Sequence, residues 1–294
     1  MLKIATLGFG EAAQAFVSGW RSEIDAKKLG LVSTFDIKIE DKAQHNMLID
    51  ACAKLDVTCA QTRAAAFKGS SAIFSLVTAD CALEAARAAL PFLEKNSLYL
   101  DCNSCSPATK SAAATLIEGA GARYVDVAVM SPVHPGRHRT PLLLSGENAT
   151  RALALLGDLG MNARIAGENV GEASSIKMLR SVMIKGLEAL TAECMLAARR
   201  AGVEQQVLAS LQASDPGIDW TARSAYNLER MLVHGKRRAA EMREVAMTLS
   251  ELNLPNRMAL ATVDWQSQLG ELDAEITDAS LTGRADAILK SLLT

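Results

Sequence analysis

Three cations fall within nine residues of one otherwise apolar helical stretch, "GEASSIKMLRSVMIKGLEALTAECMLAARRAG" (171–202): Lys177, Arg180 and Lys185. A lysine can give or take a proton near neutral pH when its pKa falls from about 10.4 toward about 7–8. Partial burial and neighbouring cations both push it that way. An arginine close by can hold a carboxylate or phosphate. At about 100° per residue, Ser181 lies about 40° round the helix from Lys177, Lys185 about 80° and Glu188 about 20°, so the four can share one face. Arg180 lies about 60° to the other side. Two readings follow. Either these charges line a site for an anionic substrate, with Lys177 as acid/base and Arg180, Ser181 and Lys185 around the substrate, or they are the wet edge of a packing helix, with Lys177 snorkelling to solvent.

A second constellation opens the chain. "LGFGEAA" carries Gly8, Gly10 and Ala13 in a G-x-G-x-x-A pattern directly after an apolar run. Gly8 permits a tight turn and Gly10 lets backbone approach a pyrophosphate. Ala13 keeps the following helix close to the sheet while its N-terminus faces the phosphates. Phe9, Glu11 and Ala12 belong to the same turn, and Val77 and Thr78 end a later strand on the cofactor side. Asp36 closes the second apolar run, where a carboxylate accepts from the adenosine ribose hydroxyls and repels a 2′-phosphate. That modestly favours NAD over NADP. Lys38 and Lys42 lie close enough to hold a 2′-phosphate instead, and a strand-end turn is the other reading of Asp36. A dinucleotide site joined to a lysine acid/base is the equipment for hydride transfer to or from an alcohol carbon.

These residues need a frame. Residues 2–7, 31–36, 71–77, 97–102, 122–130 and 140–146 read as strands, with helical patterns between them. That alternation predicts an α/β Rossmann domain, a mostly parallel doubly wound sheet covered on both faces. After about residue 165 every segment reads as helix. The expected division is a dinucleotide-binding domain over 1–165 and an all-α substrate and dimerisation domain over 166–294, opened by a long interdomain helix.

The motifs resemble the β-hydroxyacid dehydrogenase family, which includes 3-hydroxyisobutyrate, tartronate semialdehyde and 6-phosphogluconate dehydrogenases. Gly171, Ala173 and Lys177 stand in a G-x-A-x-x-x-K arrangement close to that family's G-x-G-x-x-x-K-x-x-x-N, whose lysine is the acid/base. "LDCNSCSP" stands where the family has D-x-S-T-x-x-P, and "YVDVAVMSP" where it has D-A-P-V-S-G-G. The resemblance implies that Asn103 contacts nicotinamide and substrate, and that Ser104 and Ser131 contact substrate. Departures point to a divergent branch with a phosphogluconate-dehydrogenase-like C-terminal domain of unknown function. Ser181 replaces the family's Asn, and Met130, Ser131 and Pro132 replace its Ser-Gly-Gly. The implied activity is NAD(P)-dependent interconversion of a small hydroxy acid and its oxo form. Oxidative decarboxylation of a sugar acid, imine reduction, or a dinucleotide-binding sensor without turnover are the alternatives.

Weaker features leave two readings each. "SPVHPGRHRTP" (131–141), with His134, Arg137, His138 and Arg139, is either an acid clamp or a solvated connector. "HGKRRAAEMRE" (234–244) is an amphipathic helix whose Arg237 and Arg238 either stay on its charged face or reach the cleft. Cys102 and Cys105 form a C-x-x-C without a second ligand pair, and four scattered histidines offer no metal cluster. With 294 residues, 4% aromatics and a net charge of −2, the chain favours helix-rich or α/β packing by Ala, Leu, Val and Met. It offers no electrostatic case for nucleic acid or anionic membrane. A soluble, cytoplasmic homodimer or homotetramer is the expected form.

Overall fold

The structure, a computed structural model, describes residues 2–25 and 29–292. Eight strands form one sheet: β1 (Leu2–Leu7), β2 (Leu29–Phe35), β3 (Thr58–Cys59), β4 (Ala72–Ser75), β5 (Leu98–Asp101), β6 (Arg123–Val129), β7 (Leu142–Ser145) and β8 (Ala163–Gly167). Their order is β3-β2-β1-β4-β5-β6-β7-β8. Neighbours from β3 through β6 are parallel, β7 runs antiparallel to β6, and β8 is parallel to β7. All four residues of β4 and of β5 are buried. Such runs suit strands covered on both faces.

The helices between strands are α1 (Glu11–Glu23), α2 (His45–Lys54), α3 (Arg63–Phe67), α4 (Ala82–Ala89), α5 (Pro107–Gly119) and α6 (Ala149–Asp158). The reversal at β7 has a local cause. Only a loop with one short turn connects β6 to β7, and a parallel return needs a longer crossover such as a helix. Two strands, β3 and β8, lie outside the segments expected from sequence. β3 has only two residues, and none of the five residues of β8 is fully buried, so neither carries an apolar run to announce it.

Beyond the sheet come α7 (Glu172–Arg200), α8 (Glu204–Ser214), α9 (Trp220–Glu251), α10 (Arg257–Glu271) and α11 (Leu281–Leu292). The chain divides into two compact units, Met1–Met178 and Leu179–Thr294. The division falls inside α7, later than residue 165. In the first unit Trp20 packs on Phe74 with ring centroids 5.1 Å apart. The second unit has a core of Met195, Leu196, Leu228, Met231, Leu269 and Ile288. There α9 and α10 meet at Gly235 and Gly270, where a Cβ on either would run into the opposing backbone. Among the described residues, no helix is long and apolar enough to cross a membrane.

Candidate active site

The carboxyl ends of β1, β2, β4, β5 and β6 share one edge of the parallel sheet, and the expected cofactor residues sit along it. Gly8 follows β1 with φ +91°, a conformation that an L side chain rarely adopts. A Cβ there would also lie 2.6 Å from Leu76 O. Gly10 caps α1, which has no side-chain cap, and a Cβ at Gly10 would meet nothing within 4 Å. Uncapped N–H groups beside open space fit a pyrophosphate. Ala13 is fully buried under this turn, while Glu11 is exposed and Ala12 half-buried.

Asp36 is buried at the end of β2, and both of its oxygens are engaged. Oδ2 accepts from the Phe9 main-chain N–H at 2.7 Å and Oδ1 from that of Lys38 at 3.0 Å. The carboxylate therefore ties the glycine turn to the next strand end. Lys38 and Lys42 are exposed nearby in sequence.

The β4 and β5 ends are joined by Asn103. Its Oδ1 accepts from Val77 N at 2.7 Å, and its Nδ2 donates to Ser75 Oγ at 2.9 Å and Asp101 Oδ1 at 2.7 Å. Thr78 follows, exposed. The next residue after Asn103 makes the contact on which the site turns: Lys177 Nζ donates to Ser104 Oγ at 2.6 Å. Both side chains are half-buried.

Lys177 is presented by the start of α7, which is held from below. Asp126 Oδ2 on β6 accepts from Gly171 N at 3.2 Å and Ser174 N at 3.0 Å, and Ser145 Oγ on β7 accepts from Ala173 N at 3.0 Å. These bonds satisfy helix-terminal N–H groups that would otherwise be orphaned. The family-like small residues at 171 and 173 thus have a physical role. Gly171 has φ +101°, and a Cβ on it would press on Pro107 at 3.2 Å.

Sequence reasoning missed what lies beneath. Lys110, on α5, is fully buried. Its Nζ lies 2.6 Å from Asp101 O, 3.0 Å from Asp101 Oδ1 and 3.4 Å from Asp126 Oδ1. Burial alone would depress this ammonium, but Asp101 and Asp126 outweigh it and hold Lys110 above its ordinary range. Tyr124 donates its hydroxyl to Asp101 Oδ2 at 2.7 Å, and burial, then the two carboxylates, push its own pKa well up. The signal was the presence of Asp101 and Asp126 in the two family-like motifs. Lys110 itself reads as a polar position on an alanine-rich helix.

Other expected residues fall elsewhere. Ser131 is exposed after β6, with its hydroxyl 3.4 Å from Pro132 O. Much of the 131–141 loop is exposed, as in a solvated connector, but its two arginines converge on Glu23 of α1 instead of forming an open acid clamp. Arg137 Nη2 lies 2.9 Å and His138 Nε2 3.6 Å from that carboxylate, and Arg139 also pairs with it. Cys102 and Cys105 are buried thiols not joined in a disulfide, and burial pushes Cys102 up to about 12, against the pull of Lys110. That leaves Cys102 a poor nucleophile or ligand. Among the described residues no group of three or more His, Cys, Asp or Glu could hold a metal ion.

In the second unit Arg180 is exposed. Ser181, Lys185 and Glu188 do share one buried face of α7, but the charges there are matched. Lys185 Nζ lies 2.8 Å from Glu241 Oε2 and 3.3 Å from Ser181 Oγ. Arg238 is buried and paired with Glu188, which also accepts from Gln266 at 2.8 Å. Arg237 lies 3.4 Å from Glu241. Lys185 is therefore a neutralised interior charge rather than a source of positive potential, and Arg238 is an interior residue of its own unit.

Comparison with known proteins agrees with this architecture. Residues 198–269 match a domain of unknown function (DUF1932). A conserved hypothetical protein from Sinorhizobium meliloti 1021 is 33% identical, with 99% of this chain and 97% of that one covered and a TM-score of 0.74. A conserved protein of unknown function, described as structurally similar to 3-hydroxyacid dehydrogenases, is 31% identical, with 96% and 99% covered and a TM-score of 0.68. A 3-hydroxyisobutyrate dehydrogenase from Mycobacterium tuberculosis, solved with L-serine, has a TM-score of 0.72 over 99% of each chain at 13% identity, a likeness of fold. The chain belongs to the family of the two proteins of unknown function, one of them described as structurally similar to 3-hydroxyacid dehydrogenases, and carries the DUF1932 domain in its C-terminal part.

Proposed function

We propose that this protein is an NAD(H)-dependent oxidoreductase that interconverts a small hydroxy acid and its oxo form, with Lys177 as acid/base. The observation that carries the reading is the 2.6 Å contact between Lys177 Nζ and Ser104 Oγ at the carboxyl edge of the sheet. It puts a titratable amine next to Asn103, whose amide is bonded to Val77 in the neighbouring strand-end loop. A nicotinamide dinucleotide, when bound, supplies the hydride acceptor or donor. Gly8, Phe9 and Gly10 with the start of α1 would hold its pyrophosphate, and Asp36 its adenosine ribose.

The chain's own residues do the rest. In the oxidative direction Lys177 takes the proton of the substrate hydroxyl, and in the reductive direction it returns a proton to the carbonyl oxygen. Ser104, bonded to the amine, orients it. Arg180, three residues further along α7 and exposed, is assigned the substrate carboxylate. Ser181 and Lys185 are left out, because each is engaged within the second unit. The L-serine in the mycobacterial enzyme of the same fold is itself a small hydroxy acid, which supports the substrate class.

The test is consumption of NADH and NADPH against a panel of small oxo acids, sugar acids and imines. NADH-dependent reduction of a small oxo acid is the expected result. Tight cofactor binding without turnover on any of them would replace this reading with that of a sensor.

A further inference from the structure

Hydrogen bonds and ion pairs in the first unit close into a ring through one residue that the proposed chemistry does not use. From Lys110 one arm runs through Asp101, which accepts from both Asn103 N at 3.0 Å and Asn103 Nδ2 at 2.7 Å, to the loop that carries Ser104. The other arm runs through Asp126 to Gly171 N and Ser174 N in the first turn of α7, which carries Lys177. The Lys177–Ser104 contact closes the ring. Lys110, Asp101 and Asp126 are each at most 2% exposed, so little water competes for these bonds.

We propose that Lys110 is a positioning residue that fixes Lys177 against Ser104, a role that rests on the reading of Lys177 as acid/base. Its single charge is shared by two buried carboxylates on adjacent strands, β5 and β6. Without it these two carboxylates would face each other in a buried space lacking a counter-cation, and their repulsion would displace them. A displaced Asp126 loses the first N–H groups of α7, and a displaced Asp101 releases Asn103. Either change moves one partner of the Lys177–Ser104 pair relative to the other. Proton transfer tolerates little of that, since a misplacement of about 1 Å costs on the order of 10²-fold in rate. A methionine would fill the same volume on α5 without burying a charge, so packing alone does not account for a lysine there.

The experiment compares wild type, Lys110→Met and Tyr124→Phe as full chains by hydrogen exchange, cofactor titration and steady-state kinetics. For Lys110→Met the expected result is exchange about tenfold faster in residues 101–106 and 169–178, with β1 and β2 unchanged. Cofactor affinity should stay within about twofold while kcat falls by roughly 10- to 100-fold. Tyr124→Phe removes only the hydroxyl that holds Asp101 Oδ2, and should loosen residues 101–106 to a smaller extent while 169–178 stays at wild-type rates. If Lys110→Met does not fold, Tyr124→Phe still tests the Asp101 arm, and wild-type exchange in 101–106 would overturn that arm. Exchange that rises evenly across the sheet, or stays at wild-type rates in both segments, would overturn the proposal. Because exchange is read without substrate, a wild type lacking turnover would defeat the proposed function while this readout still decides the role of Lys110.

Discussion

Phe9 and Asp36, 27 positions apart, are joined by a 2.7 Å bond from the Phe9 main-chain N–H to Asp36 Oδ2. The carboxylate expected to choose the cofactor is thus also the brace of the glycine turn, and the choice of substitution matters. Asp36→Ala would leave the Phe9 and Lys38 N–H groups without their acceptor. Asp36→Asn keeps one acceptor oxygen and removes the charge. NAD(H) is expected to bind more tightly than NADP(H) in wild type. In Asp36→Asn the gap should narrow by about tenfold, about 1.4 kcal/mol, a little above the ~1 kcal/mol of one charge–charge contact in water. Fluorescence titration of both cofactors checks this. A wild-type preference for NADP(H) would reject the role of Asp36 and turn attention to Lys38 and Lys42.

Assembly is the second prediction. On α7, Leu179, Met183, Leu187 and Leu190 are 42%, 63%, 40% and 51% exposed, at spacings that place them along one side of the helix. A continuous apolar stripe of this kind marks an association surface. At least a dimer is expected, with mainly apolar helix contacts. Light scattering at micromolar protein should give a multiple of 31.2 kDa, and Met183→Glu with Leu187→Glu should shift it toward the monomer. A wild-type monomer would reject the expectation.

How far the sequence could be read depended on how local the cause was. The glycine turn, the apolar strands and the face shared by Ser181, Lys185 and Glu188 follow from spacing within one element. The partners of those residues do not. Lys185 looked like a cation for a substrate because Glu241 lies two helices away, and the arginines of the 131–141 loop looked available because Glu23 lies on α1. Lys110 is buried only because Asp101 and Asp126 arrive from two other strands. The start of α7 joins the first unit through Asp126 and Ser145, which is why the unit extends to Met178, beyond the end of the strand pattern near residue 165. The Lys177–Ser104 pairing was legible only through the family-like motifs.

The same loop supplies a pH prediction. Burial pushes the His138 imidazole below its ordinary value, with Arg139 and Arg137 acting the same way and Glu23 opposing them. Its ring fills the space left by Gly19, where a Cβ would overlap it. Folding therefore favours the neutral ring, and the unfolded chain takes up a proton first as pH falls past about 6.5. Stability from this contact is full above that value and is lost as pH falls through the lower folded-state value. Thermal melts from pH 7.5 to 5 should show a steeper fall in Tm for wild type than for His138→Asn. Equal slopes would contradict the assignment.

The central claim is that Lys177 moves the proton. Steady-state kinetics on Lys177→Ala, after circular dichroism and cofactor titration show that the fold and binding are retained, tests it most directly. Turnover is predicted to fall by roughly 10² to 10⁴, the usual worth of general acid–base catalysis, with cofactor affinity nearly unchanged. Turnover close to wild type would contradict the account and return Lys177 to the wet edge of a packing helix.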